Sequence, residues 1–390
     1  MRPMTVRRSL ALALALGPLL TTTTACSGGD AGSAAASVDI APAPAAQRLD
    51  GVCPSTVVVQ LQWQPQSDMG ALFEMLGPGY RVDASDKSVT GPLVADGKDT
   101  GVELTLKAGG PAIGFQSVPS QMYTDDTVDF GLVHSDQLIA ASGGRRVVGV
   151  TPLLKYSPAM LMWDPSAHPG LTLDKLAGSG ATVLVSKDQF YPDWLVAKGL
   201  VRKRQLDTGY DGNPARFVGD PDVVQQGFAN SEPYTYEKET PAWGRKVGFE
   251  LLRDAGYNVY ASNMAVRADR LKELTPCLKK LVPLVQKAGA AYVSEPKATN
   301  ETIVDVVSQD SSYAPYTQGE ADYSAAFLKR EGLIAEEADG SLGTYDMKRV
   351  ASFTGELAPV IREKGSSVPT GLKPGDIFTD AFTDHTVGLG

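Results

Sequence analysis

Few residues of this 390-residue chain could do nucleophilic or metal chemistry, and they are scattered. The chain has three cysteines and three histidines, His134, His168 and His385. A zinc site needs four ligands at familiar spacings, which these residues do not offer. The sequence also contains no Gly-x-Ser-x-Gly elbow, P-loop or His-Glu-x-x-His motif. We therefore predict that the protein is not an enzyme and holds no metal and no cofactor.

Cys26 is the cysteine whose surroundings indicate a covalent modification. It follows a leader, residues 1–25, that has a basic start and an apolar run from Leu10 to Leu20, too short to span a bilayer. Small residues before a cysteine are typical of the bacterial lipobox, in which the cysteine is lipidated and becomes the mature amino terminus. Thr23 stands where leucine is usual, and the alternative is plain cleavage near Ala25. We predict a signal peptide and a lipid on Cys26.

The stretch after the leader has the composition of a flexible linker. Residues 26–51 are rich in Ala, Ser, Gly and Pro, so we predict a lipid anchor followed by a tether. The formal charge of the chain is −9, and removal of a leader with three arginines and no acidic residue leaves −12. Because a phosphate backbone requires a basic patch, we expect no nucleic-acid partner. We expect an exported monomer anchored to the outer face of the cell membrane.

Cys53 and Cys277 remain once Cys26 is assigned to the lipid. An even pair of cysteines outside the cytosol predicts one disulfide. Two separate buried thiols are the alternative. The bridge would place the start of the domain beside a helix far along the chain.

The hydrophobic pattern predicts a mixed α/β chain in two lobes. Strands are expected at 56–63, 102–106, 128–132 and 146–150, and the pattern restarts after Pro152 with strands at 160–163, 182–185, 215–218 and 228–230. Helices are expected at 69–76, 192–200 and 221–226, one more strand at 259–266, and mostly helix from Asp269 onward. The prediction is a discontinuous lobe I, residues 52–151 and 261–390, and a lobe II, residues 152–260.

Several short segments resemble, in their order and spacing, the SsuA-type substrate-binding proteins of ABC importers. They are Gln62-Trp63-Gln64-Pro65, Gly109-Gly110-Pro111, Val128-Asp129-Phe130-Gly131, Gly180 to Val185, Asn230-Ser231-Glu232-Pro233-Tyr234, and Ile377 to Phe382. The Gly180 segment lacks the lysine of the family pattern. That group binds sulfonates, nitrate, pyrimidine precursors of thiamine, or riboflavin. The resemblance implies an α/β periplasmic-binding-protein clamp of type II with a two-strand hinge, which closes on a small molecule and delivers it to an ABC permease.

Residues that follow predicted strands are the candidate ligand contacts, because α/β sheets bind ligands at strand ends. In lobe I they are Trp63, Gln64, Gly109, Gly110 and Ser135, with His134 beside them; in lobe II they are Tyr156, Ser157, Lys187, Asp188, Phe190, Tyr191, Glu232 and Tyr234. A core aromatic, a simple turn or a solvated loop is the alternative at each position.

The many aromatic rings, and the absence of an arginine clamp suited to sulfonate or nitrate, favour a planar heterocyclic ligand. We expect it between Trp63 and the Phe190-Tyr191 pair. Two alternatives stay open at this point. One is a sulfonate- or nitrate-binding member of the same family, and the other is a surface adaptor that senses a ligand for a partner.

The first prediction concerns the anchor. Cys26→Ser should release the protein from membranes, because the thiol that receives the lipid is gone. Membrane fractionation measures the release, and mass spectrometry of the wild-type mature protein should show a lipidated amino-terminal cysteine. An unmodified amino terminus in the wild type would rule the anchor out.

Overall fold

The computed structural model describes residues 39–390, so the predicted leader, Cys26 and the first part of the predicted tether lie outside the described residues. Within residues 39–390, no helix combines the length and the apolar character that crossing a membrane requires. The described strands are, in chain order, β1 Thr56–Gln60, β2 Arg81–Asp83, β3 Ser88–Ala95, β4 Lys98–Lys107, β5 Phe130–Val133, β6 Val147–Leu154, β7 Ala159–Trp163, β8 Thr182–Leu184, β9 Leu206–Asp207, β10 Val223–Phe228, β11 Gly248–Leu251 and β12 Ala261–Arg267.

The α-helices of the same region fill the connections and the carboxyl-terminal third. They are α1 Gly70–Phe73, α2 Val118–Thr124, α3 Ser135–Ala141, α4 Leu173–Ser179, α5 Tyr191–Ala197, α6 Ala215–Gly219, α7 Glu232–Tyr234, α8 Leu271–Ser294, α9 Lys297–Ser308, α10 Gln318–Arg330 and α11 Met347–Glu363. The helical periodicity noted from Leu271 onward is confirmed, since Leu274, Leu278, Leu281 and Val285 of α8 are all buried.

The strands form two sheets. A seven-stranded sheet has the order β2-β3-β4-β1-β5-β12-β6, with β1 parallel to β4 and β5, and β12 antiparallel to β5 and β6. A five-stranded sheet has the order β11-β7-β10-β8-β9, with β8 parallel to β10 and β9. The α/β class expected from the sequence is therefore confirmed, and the chain passes from the first sheet to the second after β6 and returns before β12.

Both passages between the sheets contact the side chain of Arg349 on α11. Its guanidinium lies 3.7 Å from the ring centre of Tyr260, on the returning passage, and 4.5 Å from that of Tyr156, on the outgoing one. It also donates hydrogen bonds to Glu337 at 3.1 Å and to the carbonyl of Lys155 at 3.0 Å. Arginine stacks on aromatic faces and donates from the edge of the same plane, so a single side chain can hold both passages.

The sequence-based assignment was wrong in the stretch from 215 to 228. Residues 215–218, predicted as a strand, begin helix α6, and residues 221–226, predicted as a helix, enter strand β10. β10 is central in its sheet and pairs with β7 and β8, and that pairing outweighs the weak local signal of Pro221. The hairpin of β3 and β4 was missed, although Asp96 and Gly97 both have positive φ, 51° and 70°, as a tight hairpin turn requires.

The amino-terminal segment packs on the first sheet well before the domain start at residue 52 that composition indicates. Ala43 donates a backbone hydrogen bond to Asp99 at 2.7 Å, and Leu49 donates to Thr100 at 2.9 Å. The Leu49 side chain is fully buried. These contacts hold residues that the sequence places in the tether. They use one buried leucine and the start of β4, which extends beyond its pairing with β1 at residues 103–107.

The predicted disulfide between Cys53 and Cys277 is confirmed. Their Cα atoms lie 4.6 Å apart, and 224 positions of sequence separate them. Cys277 is completely buried on α8. The bond ties the residues just before β1 to the helix that follows β12.

The second prediction concerns this bond. A Cys53→Ala, Cys277→Ala double variant should lose up to about 5 kcal/mol of unfolding free energy, because the unfolded chain is no longer held in a long loop. Urea unfolding of the variant and the wild type measures the difference. Wild-type protein reduced before unfolding serves as the control and should fall toward the variant. Equal urea midpoints for variant and oxidised wild type would contradict the prediction.

Candidate functional site

Three strand ends of the first sheet meet at one edge. The parallel strands β1 and β5 end there, followed by Gln62 and His134, and the antiparallel strand β12 begins there with Ala261 and Ser262. Ligands of α/β sheets bind beyond the carboxyl ends of parallel strands. A binding site is therefore expected at this edge of the first sheet.

The side chains at this edge form one hydrogen-bonded chain. The amide nitrogen of Gln62 donates to Oδ2 of Asp68 at 3.1 Å and to the hydroxyl of Ser262 at 2.9 Å. The backbone N–H of Ser262 donates to Nδ1 of His134 at 3.2 Å. An imidazole that accepts at Nδ1 carries its proton on Nε2, so His134 keeps an N–H donor. Burial lowers the pKa of His134, which favours this neutral form.

Ser262 has a backbone conformation that residues other than glycine rarely adopt. Its φ is +50°, in the left-handed region, and the register of β12 against β6 shifts two residues later, between Met264 and Ala265. Such a residue costs roughly 1–3 kcal/mol and persists where the surroundings hold it. Here the Gln62 and His134 contacts hold it. Strain of this kind concentrates at binding sites, so it supports the choice of this edge.

Asp68 is buried without a cation beside it. It is only 7% exposed, and burial raises its pKa to about 7 in spite of the hydrogen bond from Gln62. Its Oδ1 has no hydrogen-bond partner within the described structure, and neither has Oε1 of Gln62. Buried acceptors without partners are uncommon in folded proteins, and each such atom needs an explanation.

Helix α10 joins this edge to the corresponding end of the second sheet. The hydroxyl of Ser67 donates to the carbonyl of Ala321 at 3.2 Å. Three residues further along α10, Ser324 accepts from the side-chain amide of Asn230, at 2.9 Å, just after β10. Ser231 donates to Glu320 at 2.5 Å. Asn230 is 3% exposed, and its Oδ1 is a third unpaired acceptor of the described residues.

Two further carboxyl groups belong to the same region. Burial raises the pKa of Glu232 and of Glu320 to about 7; Glu320 adds to the rise at Glu232, and Glu239 adds to the rise at Glu320. Oε2 of Glu232 accepts the backbone N–H of Phe228 at 2.8 Å. One carboxylate oxygen of the predicted ligand residue Glu232 therefore accepts a hydrogen bond from the end of β10.

The lobe I candidates have different environments. Trp63 is 38% exposed and packs against Phe115, with ring centres 6.0 Å apart. A Cβ on Gly110, where φ is +59°, would lie 2.4 Å from the Trp63 ring, so this position requires glycine. A Cβ on Gly109 would lie 2.2 Å from the carbonyl oxygen of Leu61. The two glycines thus let the turn pass under Trp63.

Two lobe I candidates are occupied by contacts within the protein. Gln64 exchanges two hydrogen bonds with the backbone of Ala314, at 2.9 and 3.0 Å, so its amide holds a loop. Ser135 is completely buried and donates to the carbonyl of Tyr260 at 2.8 Å. Neither arrangement brings the side chain to a ligand, and as ligand contacts both stay predictions.

The Phe190-Tyr191 pair and Trp63 have different neighbours in the described structure. Lys364 lies 5.4 Å from the ring centre of Phe190. Tyr191 is buried, pairs edge-on with Tyr257 and donates to Gln226 at 3.0 Å. Phe190 caps α5 and Tyr191 begins it, and α5 contacts α11. As ligand contacts both stay predictions.

The remaining lobe II candidates have different surroundings. Lys187 and Asp188 are exposed. Ser157 accepts the N–H of Ala159 at 3.2 Å. Tyr234 packs on Tyr323 of α10 with ring centres 5.6 Å apart. Tyr156 lies under Arg349, at the passage between the sheets.

A second concave feature lies on the outer face of the first sheet. This groove has a volume of about 690 Å³ and is lined by Val58, Arg81, Val82, Asp83, Ala84, Ser85, Asp86, Ser88, Thr90, Thr105, Lys107 and Thr127. Lys107 is paired there with Asp125 at 3.1 Å and with Asp86 at 3.5 Å. The sequence did not indicate the groove, because strands β2 and β3, which form it, were not predicted.

Sequence reasoning missed four residues that the structure brings to the strand ends: Gln62, Asp68, Asn230 and Ser262. Gln62 and Asn230 stood inside segments noted for their resemblance, next to the residues chosen. Asp68 directly precedes the helix expected at 69–76, a position at which an aspartate is more often a helix cap. Ser262 carries no signal in the sequence, because its significance is its backbone conformation and its place opposite β5.

No family model and no curated protein matches the sequence. Solved structures do match. The periplasmic aliphatic sulphonate-binding protein SsuA from Escherichia coli is 12% identical, over 83% of this chain and 92% of that one, with a TM-score of 0.53. The sulfonate-binding protein SsuA from Methylobacillus flagellatus KT is 11% identical, over 85% and 93%, with a TM-score of 0.52. The alkanesulfonate-binding protein SsuA from Xanthomonas axonopodis pv. citri, bound to MOPS, is 11% identical, over 84% and 98%, with a TM-score of 0.51.

At these identities the similarity shows the fold. The chain has the two-sheet α/β fold of the SsuA-type substrate-binding proteins, so the resemblance expected from the sequence is confirmed at that level. The match spans most of each compared chain.

The third prediction is a pH dependence that comes from Asp68. Its pKa in the folded protein, about 7, lies above the ordinary value near 4, so the folded state binds the proton more tightly. Stability should therefore fall as the pH rises from about 4 to about 7. Asp68→Asn has no proton to lose, and its unfolding free energy should fall less, by a few kcal/mol, between pH 5 and pH 8.

Urea unfolding at the two pH values measures this difference. Asp188→Asn removes an exposed carboxylate and is the matched control, expected to behave like the wild type. The hydroxyl of Tyr292 on α8, which donates to Asn300, stays protonated throughout because burial raises the pKa of Tyr292. A pH slope in Asp68→Asn equal to that of the wild type would contradict the assignment.

Proposed function

We propose that this protein is an extracytoplasmic solute-binding lipoprotein that delivers a small ligand to an ABC import permease. The observation that carries the proposal is the set of strand-end side chains, Gln62, Asp68, His134 and Ser262, at one edge of the first sheet. The fold supports it, because the solved proteins that share it are described as binding proteins for sulfonates.

The ligand site we propose lies between this edge and the end of β10. Helix α10 contacts both, through Ser67 on one side and Asn230 and Ser231 on the other. Opening about the two passages near Tyr156 and Tyr260 would separate these segments, and ligand binding would favour the closed arrangement. The lobe boundaries 52–151 with 261–390, and 152–260, are part of this proposal.

A ligand with a planar ring also remains part of the proposal. Trp63 supports it, since a large aromatic side chain 38% exposed beside a strand end offers a stacking surface. The lipid on Cys26 would keep the clamp near its permease and raise its local concentration.

A thermal-shift screen of the mature protein tests the proposed function. The set contains pyrimidines, flavins, sulfonates, nitrate and bicarbonate. A ligand at 100 times its dissociation constant should add roughly 2.7 kcal/mol of stability. A screen in which no small molecule stabilises the protein would count against a solute-binding role.

The fourth prediction concerns Trp63. With the best ligand of the screen, Trp63→Ala should weaken binding about tenfold or more, because it removes both stacking and buried surface. Isothermal titration measures the dissociation constant. Met347→Ala, at a residue 37% exposed at the start of α11, is the matched control and should bind as the wild type does. Undiminished affinity in Trp63→Ala would remove this residue from the site.

A further inference from the structure

The unpaired polar atoms at the strand ends are all of one kind. Eight buried side-chain nitrogen or oxygen atoms have no hydrogen-bond partner within the described structure. Three of them belong to the residues that α10 and the sheet edge bring together, namely Oε1 of Gln62, Oδ1 of Asp68 and Oδ1 of Asn230. All three are hydrogen-bond acceptors.

The orientation of these groups follows from their other contacts. The Gln62 amide nitrogen donates to Oδ2 of Asp68, so Oε1 of Gln62 is left as the free end. The Asn230 amide nitrogen donates to the Ser324 hydroxyl, which leaves its Oδ1 free. Asp68 uses Oδ2 for Gln62 and leaves Oδ1.

The kinds of side chain around these acceptor atoms lead to the same conclusion about the ligand. Asp68, Glu232 and Glu320 bring three carboxyl groups, and none of the side chains that bond to Gln62, Asp68 or Asn230 in the described structure is a lysine or an arginine. Sulfonate and nitrate have only acceptor oxygens and a negative charge. Either anion would leave the unpaired amide oxygens of Gln62 and Asn230 without a donor.

We propose that the ligand of this site is a small nitrogen compound rich in N–H donors, such as an amidine or an aminopyrimidine, bound through Gln62, Asp68 and Asn230. The N–H at Nε2 of His134 adds one donor, which suits a ring that also carries an acceptor nitrogen. This inference rests on the proposed function, because it names the ligand class of the same site. It separates this chain in ligand class from the sulfonate-binding proteins that share its fold.

The test uses probes matched in shape and opposite in hydrogen bonding. Benzamidine and benzenesulfonate have the same ring with a donor-only or an acceptor-only head group, and 4-aminopyrimidine and nitrate extend each class. Isothermal titration of the mature protein with each probe should show binding of benzamidine or 4-aminopyrimidine and no binding of the two anions.

Two variants locate the binding. Asp68→Asn replaces an acceptor oxygen by a donor and should weaken the donor probes at least tenfold. Asn230→Asp keeps an oxygen at the free position and should bind the cationic probe as well as the wild type does or more tightly. Circular dichroism of both variants without ligand checks that they fold.

The outcomes separate this inference from the proposed function. Binding of the anions alone overturns the ligand class and leaves the solute-binding role standing. Binding of donor probes that Asp68→Asn does not weaken overturns the site. Failure of every probe, together with failure of the wider screen, overturns both.

Discussion

One guanidinium group holds both passages of the chain between the two sheets. Arg349 lies against Tyr156 on the way out and against Tyr260 on the way back, and Glu337 fixes its orientation. Tyr260 directly precedes β12, so the position of its ring decides where Ala261 and Ser262 enter the first sheet. The strained conformation of Ser262, and through it the positions of Gln62 and His134, depend on that entry point.

Helix α10 supplies the complementary constraint from the other side. It accepts hydrogen bonds from Ser67, next to Asp68, and from Asn230, at the end of β10. The same helix therefore contacts strand ends of both sheets. The polar atoms left over are acceptors, and the carboxyl groups nearby hold their protons more tightly than usual because they are buried. The site we propose therefore suits a ligand with N–H donors, on a fold that proteins described as sulfonate-binding also have.

The sequence was most informative where one strong local rule applied. Helical periodicity identified α8, and an even cysteine pair identified the disulfide. It failed at residues 215–228, where the neighbouring strands of the sheet decide the structure of β10. The site followed the same rule. Strand ends were predicted near Trp63 and Glu232, but which neighbouring side chain turns inward depends on tertiary contacts, as Gln64 on Ala314 and Tyr191 on Gln226 illustrate.

The Cys53–Cys277 bond has a mechanical consequence. All twelve described strands, from Thr56 to Arg267, lie between the two cysteines. A pulling force on the amino-terminal end reaches Cys53 before it reaches β1. The Cys53–Cys277 disulfide then transmits the force directly to α8. Apart from the contacts of Ala43 and Leu49 with β4, neither sheet lies on that load path, so pulling on the amino-terminal end does not peel β1 from its sheet while the covalent bond is intact.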